Sequence, residues 1–510
     1  MISDNRSSNK RIAINTILLY IRMFVTMIVG LFTSRVVLDA LGVEDFGIYN
    51  VVGGFVSMFT IVRSGLVSST QRFITFDLGR GDKRELNRTF STITLIYIIL
   101  CIFVFIVAEF VGVWFIENKL TIPSERLYAS RWVFQFSLIT LIITLLSNSY
   151  NSLIIAHERM KAFAYITIYE VFAKLAVAYI LFVTSFDKLI VYAALLCIVQ
   201  VTVPVLYFIY CNFQFKDEIK LHWKLDWKKV GEIYSFAGWS MMGGFASIGF
   251  TQGLNMLLGM FFTPVVNAAR GVAVQVQSII TQFVTNFQMA IDPQIIKSYA
   301  RGDIYYMGSL ISTSARFSYY LLLLVSLPVM LEAEFLLNLW LVEVPEYTPL
   351  FFRLIIITTM FDAISNPYGK AIHATGKIRN YQLICSTLLI AIVPVAYIVL
   401  KLGGAPYTVF IVHIALGFMA MICRIILANK VIAVSFLEFT KQTAIPIINV
   451  TLFAILLPIV THYCINNNII RFFVVGFTSV VVVCSCIYLL GITPSERKLA
   501  TEKIKNILHK

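Results

Sequence analysis

Four basic side chains of this sequence lie deep inside long apolar stretches. Arg22 lies about 15 Å from the N-terminal end of the first stretch, and Arg63 about 12 Å from the C-terminal end of the second, at 1.5 Å per residue. Lys174 is central in the fifth stretch, and Arg270 lies near the start of the eighth. A guanidinium facing lipid at the bilayer centre would cost at least about 2.5 to 3.5 kcal/mol. We therefore expect these cations to face a polar interior, where arginine can bind phosphate oxygens in fork geometry.

Polar residues recur at helical spacing beside these cations and predict the wall of an aqueous cavity. In the eighth stretch, Gln277, Thr281, Thr285 and Gln288 share a stripe with Arg270. Gln275 and Gln282 lie beside this stripe. The residues predicted to line the cavity are Thr26, Ser247, Thr251, Asn255, Gln277, Thr281 and Gln288. The alternative is packing of small residues with interhelical hydrogen bonds, which suffices for the second stretch. The many amides of the eighth stretch favour a cavity.

The deep acidic residues are fewer. Glu170 precedes Lys174 by four residues, so an ion pair on one helix face is predicted. Asp362, in the middle of the tenth stretch, is the main candidate for a site that couples transport to a proton or Na⁺, and Glu170 is the second. Asp292 precedes a proline and is expected to cap a helix. Five further cations lie near stretch ends, where long side chains are expected to reach water: Arg131, Arg316, Arg353, Lys370 and Arg424.

The elements that position these residues are membrane-spanning helices. The chain is 59% hydrophobic and only 13% charged over 510 residues, and about 20 apolar residues suffice for one crossing. The predicted spans are 12–38, 46–71, 91–116, 128–155, 163–185, 189–211, 233–262, 265–293, 309–331, 350–374, 381–400, 406–428, 443–464 and 469–491. The fold class is therefore an all-α integral membrane protein with about fourteen helices.

The distribution of Lys and Arg predicts the orientation. With the N-terminus inside, the cytoplasmic segments hold 26 basic residues, and the outward connections hold five. The even number of crossings then places both termini in the cytoplasm. This bias also accounts for the net charge of +14, so no nucleic-acid partner is predicted.

Two short sequence matches indicate an internal repeat. Asp77-Leu-Gly-Arg-Gly-Asp82 is matched 221 residues later by Ser298-Tyr-Ala-Arg-Gly-Asp303, and Ala156–Lys161 is matched 218 residues later by Ala374–Arg379. Each Arg-Gly-Asp is predicted to end one helix at the glycine and to cap the next with the aspartate. An even number of crossings separates the copies, so two parallel six-helix lobes are expected. The predicted parts are 1–211, the N-terminal lobe; 212–232, a cytoplasmic linker; 233–428, the C-terminal lobe; 429–491, an added helix pair; and 492–510, a basic cytoplasmic tail.

Signatures of catalysis do not occur in the sequence. It has no phosphate-binding loop of the GxxxxGK[ST] type, no HExxH and no nucleophile elbow. The cysteines lack metal-binding spacing, so no metal, cofactor or catalytic residue is predicted. A secondary transporter, and not an enzyme, is the class of protein that remains.

The two matched halves, the added helix pair and the turn Leu41-Gly-Val-Glu-Asp-Phe-Gly-Ile-Tyr49 resemble one family over essentially the whole chain. It is the polysaccharide-exporter branch of the multidrug/oligosaccharidyl-lipid/polysaccharide (MOP) exporter superfamily, specifically the Wzx-type O-antigen flippases. The turn, of the form L-G-x-x-x-[FY]-G-x-[YF], is the most specific part of this resemblance.

This resemblance implies a V-shaped, MATE-like bundle in the bacterial inner membrane, whose lobes rock about a central cationic cavity. The implied substrate is an undecaprenyl-diphosphate-linked oligosaccharide, moved from the cytoplasmic to the periplasmic leaflet. By similarity to lipid II flippases, Arg22, Arg63 and Arg270 would bind the diphosphate, and Lys174 is added to this set. The added helix pair would hold the polyprenyl tail. Other implied partners are membrane lipids and the polymerase and glycosyltransferases of the same pathway.

Two other functions are weighed against this one. A drug or cation antiporter of the same superfamily would need acids that dominate the cavity, whereas deep cations match or outnumber acids in this sequence. A membrane glycosyltransferase or O-antigen polymerase would need a large outward loop, and the longest outward loop, 332–349, is short.

Overall fold

The computed structural model describes residues 2–58, 60–118, 123–222, 226–341, 344–430, 435–493 and 496–497. All regular elements in these ranges are helical. Most of the predicted tail, residues 498–510, and part of the predicted linker, residues 223–225, lie outside the described residues. The chain forms two compact units. Unit 1 comprises Met1–Phe245 and Tyr299–Arg301, and unit 2 comprises Ala246–Ser298 and Gly302–Lys510.

Unit 1 is built from the first six helices and the beginning of the seventh. The helices are α1 Ile2–Met58, α2 Thr60–Arg80, α3 Lys83–Asn118, α4 Leu127–Ala156, α5 Met160–Ile180, α6 Lys188–Gln214 and α7 Trp227–Phe261. α1 is interrupted at Gly42, whose backbone is not helical. Part of the core of this unit forms where α1, α5 and α6 meet, around Val37, Ala178 and Tyr192.

Unit 2 contains the rest of α7 and the later helices. These are α8 Pro264–Ala300, α9 Ile304–Leu331, α10 Ala333–Trp340, α11 Thr348–Thr375, α12 Arg379–Lys401, α13 Thr408–Asn429, α14 Phe436–Phe439, α15 Ile445–Cys464 and α16 Asn468–Cys486. A π-helical turn, Thr440–Ala444, joins α14 to α15. A large apolar core includes Leu258, Ala273, Leu322, Phe351 and Val409.

Within the described residues, the predicted spans fall largely on helices, but the second, 46–71, divides between the end of α1 and most of α2. The short α10 lies in a connection where no helix was predicted. Within the described residues, 11 helices are long and apolar enough to cross a membrane. The predicted second, seventh and eighth spans are absent from that set, and the seventh and eighth carry polar residues predicted to line the cavity. The composition of these three helices is what a polar interior requires.

The internal repeat is visible in the backbone. Gly81 and Gly302 both have φ of 77° and end their helices in the left-handed conformation. Asp82 accepts a hydrogen bond from the backbone nitrogen of Glu85 at 3.1 Å, and Asp303 accepts one from that of Tyr306 at 3.0 Å. The prediction that each Arg-Gly-Asp is a helix-ending turn with a capping aspartate is confirmed.

The second sequence match shows the same equivalence. Glu158, in the turn between α4 and α5, has φ of 60°. Gly376, between α11 and α12 and 218 residues later, has φ of 78°. A left-handed glutamate is uncommon because its Cβ is crowded there. The same turn geometry therefore recurs at equivalent positions, although only one copy has glycine.

The predicted linker is bound to the end of unit 1 at which α3 begins. Asn87 and Ser91, near the start of α3, both donate hydrogen bonds to the backbone oxygen of Lys220, at 2.9 and 2.8 Å. Lys229 forms an ion pair with Glu85 at 2.8 Å. His157 contacts Glu218 at 2.6 Å. These charges are thus used in intramolecular pairs.

The added helix pair is fixed to α9 at both ends of unit 2. Arg316 on α9 forms an ion pair with Glu496 at 2.8 Å and donates to the backbone oxygen of Gly491 at 3.2 Å. At the other end, the buried carboxylate of Glu332 accepts from His462 at 2.8 Å and from Arg471 at 3.0 Å. Arg316 is only 4% exposed, so the prediction that it reaches water was wrong. The reason is that the chain after α16 covers it.

Candidate functional site

The turn at Gly42 fixes the part of α1 that carries the predicted family motif. Gly42 has φ of 77° and ψ of 170°, a region open essentially only to glycine. The buried carboxylate of Asp45 binds Arg126 at 2.9 Å, and Arg126 also binds Asp187 at 2.6 Å. These pairs join α1 to the start of α4 and to the cap of α6. The second half of α1, which carries Tyr49, is thereby fixed against the rest of unit 1.

Unit 1 contains a cavity of about 280 Å³ that Arg63 and Lys174 share. Its other lining residues are Tyr49, Gly53, Val56, Phe136, Ser137, Thr140, Leu141, Thr144, Ala193, Leu196 and Gln200. The structure thus brings together two of the four predicted cations. Among the described residues, no carboxylate lies within ion-pair distance of Arg63. The hydroxyls of Ser137, Thr140 and Thr144 form a stripe on α4 that the sequence prediction missed, although their spacing of three and four is visible.

A small polar network borders this cavity. Lys174 binds Glu170 at 2.6 Å, which confirms the predicted ion pair. The same Glu170 oxygen accepts a hydrogen bond from Gln200 at 2.8 Å. Both Lys174 and Gln200 line the cavity. Glu170, the second candidate for an ion-coupling residue, is therefore already satisfied by two internal donors.

Arg22, on α1, is not among the residues that line this cavity. Its guanidinium lies over the ring of Phe163, 4.7 Å from the ring centroid. Thr26, one turn further along α1, donates to the backbone oxygen of Met23 at 2.9 Å. Arg22 is therefore the predicted cation of unit 1 that does not line the cavity.

Arg270 is the predicted site residue of unit 2 whose charge is least compensated. It is 5% exposed, and Nη1 donates a hydrogen bond to the side-chain oxygen of Asn255, which is another predicted residue. Its buried Nε finds no acceptor in the described part of the chain. No carboxylate in those ranges lies within ion-pair distance of it. A buried charge of this kind is costly unless a ligand neutralises it.

The predicted polar residues of α8 divide into two faces. Gln277 donates to Thr359 on α11 at 2.7 Å, and Gln288 donates to Ser318 on α9 at 3.0 Å. Thr281 donates to the backbone oxygen of Gln277 at 2.8 Å. The two glutamines thus form interhelical hydrogen bonds, which was the alternative interpretation of this stripe.

The exposed polar face of α8 is a neighbouring stripe, Gln275, Ser278, Gln282 and Thr285. We call this set the α8 amide stripe. The sequence prediction had noted Gln275 and Gln282 but placed them beside the main face. Of the predicted residues on α7, Ser247 is exposed and Thr251 is half-buried, donating to the backbone oxygen of Ser247 at 2.8 Å.

The deep acids of unit 2 all have internal partners. Asp362 forms an ion pair with Arg424 at 3.0 Å. Asp292 pairs with Lys370 at 2.9 Å. The prediction that it caps a helix was wrong, because α8 continues through Asp292 and the following proline to Ala300. The deep acids are thus neutralised by cations, whereas Arg270 is not. Within the ranges that the structure describes, no group of three or more His, Cys, Asp or Glu residues could hold a metal ion.

This arrangement of membrane helices recurs in solved transporter structures. The chain aligns with a MATE transporter in the straight conformation with a TM-score of 0.71, 14% identity, and coverage of 85% of this chain and 97% of that one. An outward-facing MATE transporter of the MOP superfamily aligns with a TM-score of 0.68 and 13% identity, and the alignment covers 84% of this chain and 96% of that one. A MOP superfamily transporter from Pyrococcus furiosus aligns with a TM-score of 0.65 and 14% identity, and the alignment covers 82% of this chain and 95% of that one. That transporter is described as having a binding pocket of reverse polarity.

The fold is therefore the one that MATE transporters have. The sequence identifies the family, since the model of the family described as polysaccharide biosynthesis protein matches residues 12–299. The chain belongs to this family. A comparison with curated protein sequences yields no significant match.

Proposed function

We propose that this protein is a flippase for a polyprenyl-diphosphate-linked oligosaccharide in the bacterial cytoplasmic membrane. It would act as a secondary transporter by alternating access, without a catalytic step. O-antigen or a similar surface polysaccharide unit is the proposed cargo. Membership of the polysaccharide biosynthesis family supports this class of cargo.

The observation that carries the proposal is the buried Arg270. It has an amide partner, Asn255, in place of a counter-ion. An amide helps to orient the guanidinium but leaves its charge intact. The negative charge must therefore arrive with the substrate, and a diphosphate supplies oxygens that suit the guanidinium fork.

The cavity of unit 1 supports the same chemistry. Arg63 supplies positive charge to it, Lys174 adds ammonium N–H donors beside its partner Glu170, and Ser137, Thr140 and Thr144 supply hydroxyls. Hydroxyl and amide groups bind the hydroxyls of sugars. We propose that Arg22, Arg63 and Lys174 bind the anionic headgroup in unit 1, and that the α8 amide stripe and Arg270 do so in unit 2. An enclosed polar route avoids moving the headgroup through hydrocarbon.

A second candidate function is export of organic cations, which the similarity to MATE structures favours. An exported cation would need an acid to bind it. Asp362 is the acid best placed for this role, because its side chain is 57% exposed although it pairs with Arg424. Cation export is the second proposal because its acid must first give up a resident arginine.

The test is a leaflet assay. The purified protein is reconstituted in liposomes with a fluorescent polyprenyl-diphosphate oligosaccharide, and access of the label to an impermeant quencher is followed. We expect the wild type to translocate the lipid and Arg270→Ala to fail. Arg301→Ala is the matched control, because Arg301 is an exposed arginine just after the end of the same helix.

Three outcomes are distinguished. Loss of translocation in Arg270→Ala alone supports the flippase and its anion site. Equal translocation by both variants overturns the role of Arg270. No glycolipid translocation by the wild type, together with efflux of small cations from the same liposomes, replaces the flippase with the antiporter.

A further inference from the structure

A second polar feature of unit 1 lies outside the cation network described above. Arg35, Asp39, Phe32 and Val36 of α1, together with Tyr179 of α5 and Phe182 just beyond it, line an open groove of about 590 Å³. We call it the α1–α5 groove. None of its residues lines the Arg63 cavity.

The surroundings of the groove place it on a lipid-facing surface. Along α1, the exposed residues that precede Arg35 on the same stripe are large and apolar: Ile14, Ile17, Ile21, Phe24, Ile28 and Phe32. In the groove itself, Phe32, Tyr179 and Phe182 are 57%, 55% and 50% exposed. A continuous apolar face of this length suits acyl chains, and tyrosine is typical of the membrane interface.

Two charges interrupt this apolar face without neutralising each other. Arg35 and Asp39 are four residues apart and both exposed, a spacing at which an ion pair could form. Neither forms an ion pair or a side-chain hydrogen bond in the described part of the chain. A cation and an anion are therefore both available to a ligand at one site.

The order of the two charges along α1 matches a phospholipid headgroup. With the N-terminus inside, residue numbers along α1 increase outward. Asp39 then lies about 6 Å further out than Arg35, at 1.5 Å per residue. In an outer-leaflet phosphoethanolamine lipid, the phosphate is the deeper charge and the ammonium the outer one. The phosphate would meet Arg35, and the N–H donors of the ammonium would meet the Asp39 carboxylate.

We propose that the α1–α5 groove binds an outer-leaflet phospholipid of the phosphoethanolamine class. The paired charges select this headgroup over the alternatives. A phosphoglycerol lipid has no cation for Asp39, and a phosphocholine ammonium has no N–H to donate to it. A polyprenyl diphosphate is repelled by Asp39, so the groove is distinct from the diphosphate sites, and this inference stands without the proposed cargo.

The test is lipid binding by the purified full-length protein. The delipidated protein is titrated with phosphoethanolamine, phosphocholine or phosphoglycerol lipid, and bound lipid is counted by native mass spectrometry. We expect preference for the phosphoethanolamine lipid. Arg35→Ala and Asp39→Asn should each weaken its binding about fivefold, the upper effect of one exposed charge contact. Lys401→Ala removes an exposed cation at the outer end of α12 and should change nothing.

A double variant, Arg35→Asp with Asp39→Arg, tests the depth order. It keeps the composition of the groove but reverses the charges, so it should lose the preference for phosphoethanolamine. Retained preference in this variant, or unchanged binding in both single variants, overturns the proposal. Stronger binding of farnesyl diphosphate than of phosphoethanolamine lipid by the wild type also overturns it, and would make the groove an exit for the cargo. Melting curves in detergent verify that each variant is folded.

Discussion

Arg424 Nη1 lies 3.0 Å from Asp362 Oδ1, so the main candidate for an ion-coupling acid already holds a cation from its own chain. The same Nη1 contacts Ser365 at 3.0 Å and Asn366 at 3.1 Å, one turn further along α11. Arg424 was expected to reach water near a helix end, yet its side chain is only 17% exposed. The pair therefore joins α11 to α13 and occupies the acid that the sequence proposes as a coupling site.

This pair predicts that transport does not require Na⁺. A sodium ion would have to displace a guanidinium that three acceptors hold, whereas a proton can open the pair by neutralising Asp362. In the leaflet assay, we expect the same rate in Na⁺ and in K⁺. An imposed proton gradient should change the rate in the wild type but not in Asp362→Asn.

Glu334→Gln is the control for that experiment, because Glu334 is an exposed acid, 71% accessible, in a 3.6 Å pair with Arg353. Its response to the gradient should match that of the wild type. A strict requirement for Na⁺ would show that the Arg424 contact is not the working state of this acid.

Translocation should fall when Arg22 or Arg270 is replaced by alanine, and also when Arg22 is replaced by lysine. Arg22→Ala and Arg270→Ala each remove a charged hydrogen-bonding group worth about 1.5 to 3 kcal/mol, which corresponds to at least about a tenfold loss of translocation. Arg22→Lys keeps the charge but loses the planar group that lies over Phe163, so it should also be impaired. Rates are measured at equal amounts of folded protein, and full activity of Arg22→Lys would mean that charge alone suffices.

Gly42 should not tolerate a side chain. Its φ of 77° with ψ of 170° strains any other residue by about 1 to 3 kcal/mol. Gly42→Ala is therefore expected to lower the unfolding midpoint in detergent. Gly30→Ala is the matched control on α1, because Gly30 is exposed and a Cβ there meets nothing within 4 Å. Equal stability of the two variants would contradict the strain argument.

The buried pair of Arg316 and Glu496 should contribute strongly to stability. Glu496→Ala leaves Arg316 buried without its counter-ion, which costs about 3 to 5 kcal/mol. Asp217→Ala is the comparison, since the Asp217–Lys220 pair is exposed to solvent and contributes little to stability. Thermal unfolding of both variants at low and high salt separates the two effects, because salt should weaken only the exposed pair.

The sequence predicts the helices, the repeat turns and the local ion pair of this protein, because each depends on residues close together in the chain. The 3.6-residue period finds α8, and the four-residue spacing finds Glu170 with Lys174. The sequence does not decide which of two adjacent polar stripes on α8 is exposed, because Gln277 and Gln288 form hydrogen bonds with residues of other helices. Arg316 and Arg424 were misplaced for the same reason, since their partners lie 180 and 62 residues away.

The second span also makes a contact with a helix that is distant in the chain. At Gly65, small-residue packing was the correct interpretation. A Cβ built on Gly65 would lie 2.6 Å from the backbone oxygen of Ala237 on α7. Because a backbone atom cannot move aside alone, Gly65→Ala should separate α2 from α7 and lower the unfolding midpoint. Gly238→Ala on α7 meets nothing within 4 Å and should stabilise its helix by up to about 1 kcal/mol. If Gly65→Ala unfolds at the same temperature as the wild type, α2 and α7 are not held at this distance in the membrane protein.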